Sequence, residues 1–72
     1  MPPLPVISGR ECVAALSRLG YRVVRQRGSH VRLNCPGRAP LTVPDHRTLD
    51  TGTLREIIRT AGLSVQEFLD LI

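Results

Sequence analysis

The chain has no lysine and no tryptophan, one tyrosine, one phenylalanine and two cysteines in 72 residues. Each shortage narrows the field. With so few rings, single strands cannot be read by stacking successive bases on aromatic side chains. Cys12 and Cys35 are too few for a disulfide framework and stand in no CxxC or Cys/His metal spacing. They read as reduced thiols, Cys12 on the core face of a helix and Cys35 beside a turn. No apolar run approaches the roughly 20 residues of a membrane-spanning helix. The opening MPPLPVIS lacks the basic and apolar segments of an export signal. The expected location is the cytoplasm, with no membrane association.

Because lysine is absent, all ten cationic side chains are arginine, against six carboxylates, for a formal charge of +4. Guanidinium offers a planar, five-donor fork that matches phosphate and stacks on bases, which an ammonium cannot do. The charge is segregated. Residues 10–47 hold eight arginines against Glu11 and Asp45, a net +6, whereas residues 48–72 carry a net −2. The first half is therefore the half that faces a polyanion. A chain this short buries only roughly 60% of the surface its unfolded form exposes. The mean hydropathy is near zero. Together these predict one small folded domain over 8–72 after an extended lead-in over 1–7, with a shallow site at most.

Pro2, Pro3 and Pro5 fix φ and remove donors, which makes the opening an extended lead-in, mobile unless it packs down. Ser8 and Glu11 form a capping box, and Cys12, Val13, Leu16 and Leu19 recur at helical spacing until Gly20, which predicts a helix over 9–19. The runs 21–27 and 30–35 flank Gly28 and Ser29 and predict a hairpin, followed by a third strand near 40–43. In the second run Val31 and Leu33 take one face and His30, Arg32 and Asn34 the other. Val23 and Val24 are adjacent and cannot both point inward without a bulge, so the register of the first strand stays open. Thr53 with Glu56 reads as a capping box for a helix over 53–61, and Ser64 with Glu67 as a third box leading into Val65, Phe68, Leu69 and Ile72. The predicted fold is α+β: helix, three antiparallel strands, helix and a short C-terminal helix. The helices cover one sheet face and leave the other wet. Leu16, Val31, Leu33, Val43, Leu54, Ile57 and Ile58 are the expected core.

Chemistry must come from a short inventory. His30 and His46 are 16 positions apart with Asp45 the only carboxylate near either, so no metal-ligand or paired-carboxylate spacing appears, and no cofactor is expected. A Cys12 thiolate would be suppressed within an apolar helix stripe. His30 is the candidate general acid/base, since imidazole both takes and gives a proton near neutrality. Placed among guanidinium groups on an exposed sheet, it can act on a ribose 2′-hydroxyl beside a bound phosphodiester. The plain alternative is a solvent-exposed strand histidine with no role. His46 either caps the hairpin or serves as the second proton-transfer group. Arg22, Arg25, Arg27 and Arg32, with Ser29, form the expected RNA-binding set. Without an anion the same arginines are a solvated surface that protects a strand edge.

Gly28, Ser29 and His30 at the hairpin, the Pro44, Asp45, His46 step, and the run Gly52, Thr53, Leu54, Arg55, Glu56, Ile57 with Ala61 and Gly62 resemble the HicA toxin family of toxin–antitoxin systems. The segment Ser8 to Tyr21 is similar to that family's first helix. The resemblance spans about Ser8 to Gly62; nothing is carried over for Ser64 to Ile72. It implies a fold similar to the double-stranded RNA-binding domain and a metal-independent mRNA interferase with His30 as catalytic histidine. It also matches His46 to the family's PxH histidine and implies a HicB-type antitoxin that covers the basic catalytic face. From a different class, a non-catalytic RNA-binding module fits the same composition, as does an interaction protein whose arginine face serves a protein partner alone.

Overall fold

In a computed structural model, which describes residues 3–72, six elements follow one another: α1 (Gly9–Leu19), β1 (Arg22–Arg27), β2 (His30–Cys35), β3 (Arg38–Pro44), α2 (Thr51–Thr60) and α3 (Val65–Leu69). The layout is the expected α+β one, a helix, a three-stranded antiparallel sheet ordered β1-β2-β3, then helices. Met1 and Pro2, part of the expected lead-in, lie outside the described residues. The rest of that stretch packs down at its end: Ile7 is buried, and its carbonyl accepts from the Leu49 N–H at 2.8 Å.

α1 begins where the capping pair dictates. The Ser8 hydroxyl accepts from the Glu11 N–H at 3.1 Å and the Glu11 carboxylate from the Ser8 N–H at 3.0 Å. Cys12, Ala15 and Leu16 are fully buried on the helix face toward the sheet. Burial pushes the Cys12 thiol up to about 12, which makes it an inert apolar side chain. Gly9 packs against backbone at Pro44 and Asp45, where a Cβ would meet the Pro44 carbonyl oxygen. Its N–H donates to the His46 carbonyl at 2.9 Å. That contact seats the start of α1 on the end of β3.

Val31 and Leu33 of β2 and Leu41 and Val43 of β3 form the core side of the sheet, as alternation requires. The predicted core residues are all buried, joined by Ile7, Tyr21, Leu41, Leu49, Ala61 and Phe68 among others. Tyr21 is not the first strand residue expected; it is buried ahead of β1, and its hydroxyl donates to the Ala39 carbonyl at 2.8 Å. The helices pack chiefly against β3. β1 is left uncovered along its whole length.

Two helical expectations need correcting. α2 starts two residues before Thr53, because Asp50 is its N-cap: the Asp50 carboxylate accepts from the Thr53 N–H at 2.8 Å. Asp caps at least as well as Thr, and Glu56, the expected partner of Thr53, instead pairs with Arg59 at 2.7 Å. α3 has its expected box, with the Ser64 hydroxyl on the Glu67 N–H at 3.0 Å, but it ends at Leu69. The Leu71 and Ile72 N–H groups bond to carbonyls three residues back, which tightens the turn and leaves Ile72 55% exposed while Phe68 is fully buried. Arg38 and Arg18 fasten this end of the molecule, donating to the Ala61 and Leu71 carbonyls, both at 2.6 Å. Among the described residues, no helix is long and apolar enough to cross a membrane.

Candidate active site on the open sheet face

The face of the sheet turned away from the helices is where the arginines of the hairpin collect, and an irregularity in β1 decides which of them arrive. Arg22 pairs with Asn34, Val23 with Leu33, Arg25 with Arg32, Gln26 with Val31 and Arg27 with His30. The register shifts between Val23 and Arg25, so Val24 is the extra residue of a β-bulge. Strict alternation would send Arg22 and Arg25, three apart, to opposite faces. The bulge absorbs the odd residue and puts Arg22, Arg25 and Arg27 on the side of His30, Arg32 and Asn34. The open question about Val23 and Val24 is thereby answered in an unexpected way. Val23, opposite Leu33, faces the helix side but lines an open hollow with Val13 and Val31, and Val24 is the bulged residue; they are 52% and 55% exposed.

At the turn end of this face, Arg25, Arg27, His30, Arg32 and Thr42 line a shallow hollow of about 250 Å³. His30 is the first residue of β2 and is exposed, as general acid/base chemistry on a large substrate requires. Gly28, with φ +54, makes the tight reversal that brings Arg27 directly opposite His30. The Asp45 N–H donates to the Ser29 carbonyl at 2.6 Å and His30 pairs with Pro44, which ties this turn to the end of β3. Arg32 is half-buried, and its Nη1 donates to Thr42 Oγ1 at 3.1 Å. Arg25 and Arg27 are exposed. The ion pairs among the described residues are Arg10 with Asp45 at 3.6 Å and Arg59 with Glu56; neither involves an arginine of the hollow. Its positive charge is uncompensated, so an anion is its complement.

Of the residues predicted for the site, His30, Arg25, Arg27 and Arg32 come together. Arg22 shares the face but lies at the far end, opposite Asn34. Ser29 is half-buried in the turn and does not line the hollow. His46 is exposed and lines a different hollow, with Ser8, Arg10, Asp45 and Arg47. Thr42 was missed, although its place between buried Leu41 and Val43 fixes its face as the outer one. Among the described residues no three His, Cys, Asp or Glu gather as a metal ion would need.

A family model described as the HicA toxin of bacterial toxin–antitoxin systems matches residues 9–63 of the 72. No curated protein and no solved structure matches the chain. The matched span contains α1, the whole sheet, both histidines and α2, and leaves out α3. The chain therefore belongs to the HicA toxin family.

Proposed function

We propose that this toxin is a metal-independent endoribonuclease, an mRNA interferase, with His30 as its acid/base group and the outer sheet face as its RNA-binding surface. The observation that carries the reading is that His30 shares one open hollow with Arg25, Arg27 and Arg32. The arginines would hold the scissile phosphodiester and stabilise charge developing on its non-bridging oxygens. The His30 imidazole takes the proton from the neighbouring 2′-hydroxyl as the 2′-oxygen bonds to phosphorus. The bond from phosphorus to the 5′-oxygen then breaks, leaving a 2′,3′-cyclic phosphate and, once that oxygen gains a proton, a 5′-hydroxyl. No redox partner or metal enters the balance. A shallow hollow suffices because the substrate brings its own nucleophile. DNA lacks that hydroxyl and should bind without being cut.

His46 is the second candidate proton carrier. Its hollow also holds Arg10 and Arg47, which suits contact with the continuing strand. A His46→Ala protein that loses affinity but keeps turnover assigns it to strand binding; lost turnover at unchanged affinity assigns it to proton transfer. The protein partner in this reading is a HicB-type antitoxin covering the basic face, and both act in the cytoplasm, where the RNA is.

A second reading, a non-catalytic RNA-binding module, draws on the separation of the two histidines into different hollows. The His30→Ala protein decides between them. A nuclease should lose on the order of 10² to 10⁴ in rate while keeping RNA affinity. It should also work in EDTA and yield cyclic phosphate ends. Cleavage at full rate without His30, or release of 5′-phosphate ends, would overturn the mechanism.

A further inference from the structure

Thr42 is the one residue lining the His30 hollow that is neither cationic nor an imidazole. It stands directly opposite Arg32 in the β2–β3 pairing and accepts a hydrogen bond from that guanidinium at 3.1 Å. A hydroxyl has two acceptor lone pairs and one proton to donate. With its oxygen accepting from a cation, the Thr42 O–H is left to donate, and donation is strengthened because a hydrogen bond received polarises the group that gives the next. The open side is the hollow itself. The same bond fixes the plane of the Arg32 guanidinium, whose remaining N–H donors are then held in set directions rather than swept through solvent. Arg32 is half-buried, whereas Arg25 and Arg27 are exposed and carry no such restraint.

We infer that Thr42 is a phosphate-contacting residue: its hydroxyl donates to a non-bridging oxygen of the nucleic-acid phosphate in the His30 hollow and orients Arg32 on the same phosphate. The inference rests on the ribonuclease reading for its link to catalysis, while the anion contact stands apart from it. The contact is with phosphate and not with the 2′-hydroxyl, so RNA and DNA should feel its loss equally.

Thr42→Val keeps the β-branched shape that suits a strand and removes only the hydroxyl; Thr42→Ser keeps the hydroxyl. Binding of a fluorescein-labelled single-stranded RNA, and of DNA of the same sequence, is measured in the His30→Ala background so that nothing is cut. Cleavage is measured with His30 present, and circular dichroism checks that each variant is folded. Thr42→Val should weaken both oligonucleotides about tenfold, the scale of a hydrogen bond to a charged group. It should lower kcat further, by about 10²-fold, as loss of a transition-state donor does. Thr42→Ser should stay within about threefold of the parent. In an Arg32→Ala protein, Thr42→Val should cost clearly less than its tenfold in the parent, because orienting Arg32 is part of what the hydroxyl does. The inference is overturned if Thr42→Val binds like the parent, if Thr42→Ser fails as badly as Thr42→Val, or if the Arg32 and Thr42 effects simply add. A loss confined to RNA overturns the phosphate assignment. If the parent protein cuts no RNA yet Thr42 and Arg32 remain coupled in affinity for both oligonucleotides, the anion site stands and the ribonuclease reading falls.

Discussion

Arg25 of β1 lies directly opposite Arg32 of β2, and Arg32 turns its guanidinium toward Thr42 of β3, on the side away from Arg25. Like charges facing one another across neighbouring strands destabilise a sheet by roughly 0.2–1 kcal/mol. The pair is thus a small stability cost that a bound phosphate would reverse. Arg25→Gln should raise the melting temperature at low salt by about 1–8 °C while weakening RNA binding. Thermal unfolding and RNA titration on the same preparation check both halves; a fall in melting temperature would contradict the repulsion.

The second prediction concerns how the row of arginines shares the work. On single-stranded RNA each neutralised phosphate contributes about 0.7 to the slope of log affinity against log salt. Removing the charge at Arg22, Arg25 or Arg27 should flatten that slope by about this much for each side chain that meets a phosphate. An unchanged slope at all three would take the open face out of RNA binding.

Gly9 sets the third. Ala is the better helix former by about 1 kcal/mol in a helix interior. Here, however, its Cβ meets backbone at Pro44, which cannot rotate aside. Overpacking of this kind costs roughly 1–3 kcal/mol, so the steric term should win. Gly9→Ala should lower the urea midpoint and, by shifting the end of β3, disturb the loop that holds His46. Stabilisation by Gly9→Ala would show that α1 is not seated as described.

The fourth is a pH dependence. Hydrogen bonds from Thr53 hold the Asp50 carboxyl below its ordinary 3.8, and those from Ser64 hold Glu67 below its ordinary 4.5. A depressed carboxyl stabilises the fold above its unfolded value and loses that contribution as pH falls through the folded one. Stability should therefore be flat near neutrality and decline below about pH 4.5, with both caps contributing. Asp50→Ala should lower stability at neutral pH and make the acid decline shallower. Denaturant midpoints at a series of pH values test this, and an unchanged acid slope would contradict it.

Much of this arrangement is legible in the residues themselves. Ser8 with Glu11 marks the start of α1, Gly28 with Ser29 marks the hairpin, and Val31 alternating with His30 and Arg32 separates core from open face without any tertiary information. What escaped is what depends on competition or on neighbours far along the chain. Asp50 and Thr53 are both good caps, and the sequence does not show that Asp50 takes the Thr53 N–H while Glu56 turns to Arg59. Val23 and Val24 signal a bulge, yet hydrophobicity alone does not say that both stay in water. Thr42 carries no chemical flag until β3 is laid beside β2 and Arg32 reaches across.

The helices leave β1 uncovered, with all six of its residues exposed. Its attachment to the molecule is then almost wholly its hydrogen-bond ladder with β2, interrupted at Val24. Segments with little buried apolar surface open locally at a fraction of the global unfolding free energy. Peeling β1 away would carry off Arg22, Arg25 and Arg27 together and leave His30 beside Arg32 alone, with the core still packed. Amides of β1, and those of β2 that bond to it, should accordingly exchange with solvent well before the amides that join β2 to β3. In this toxin three arginines of the open face ride on its least anchored strand, so on the ribonuclease reading RNA binding should be lost at a lower temperature than the fold itself.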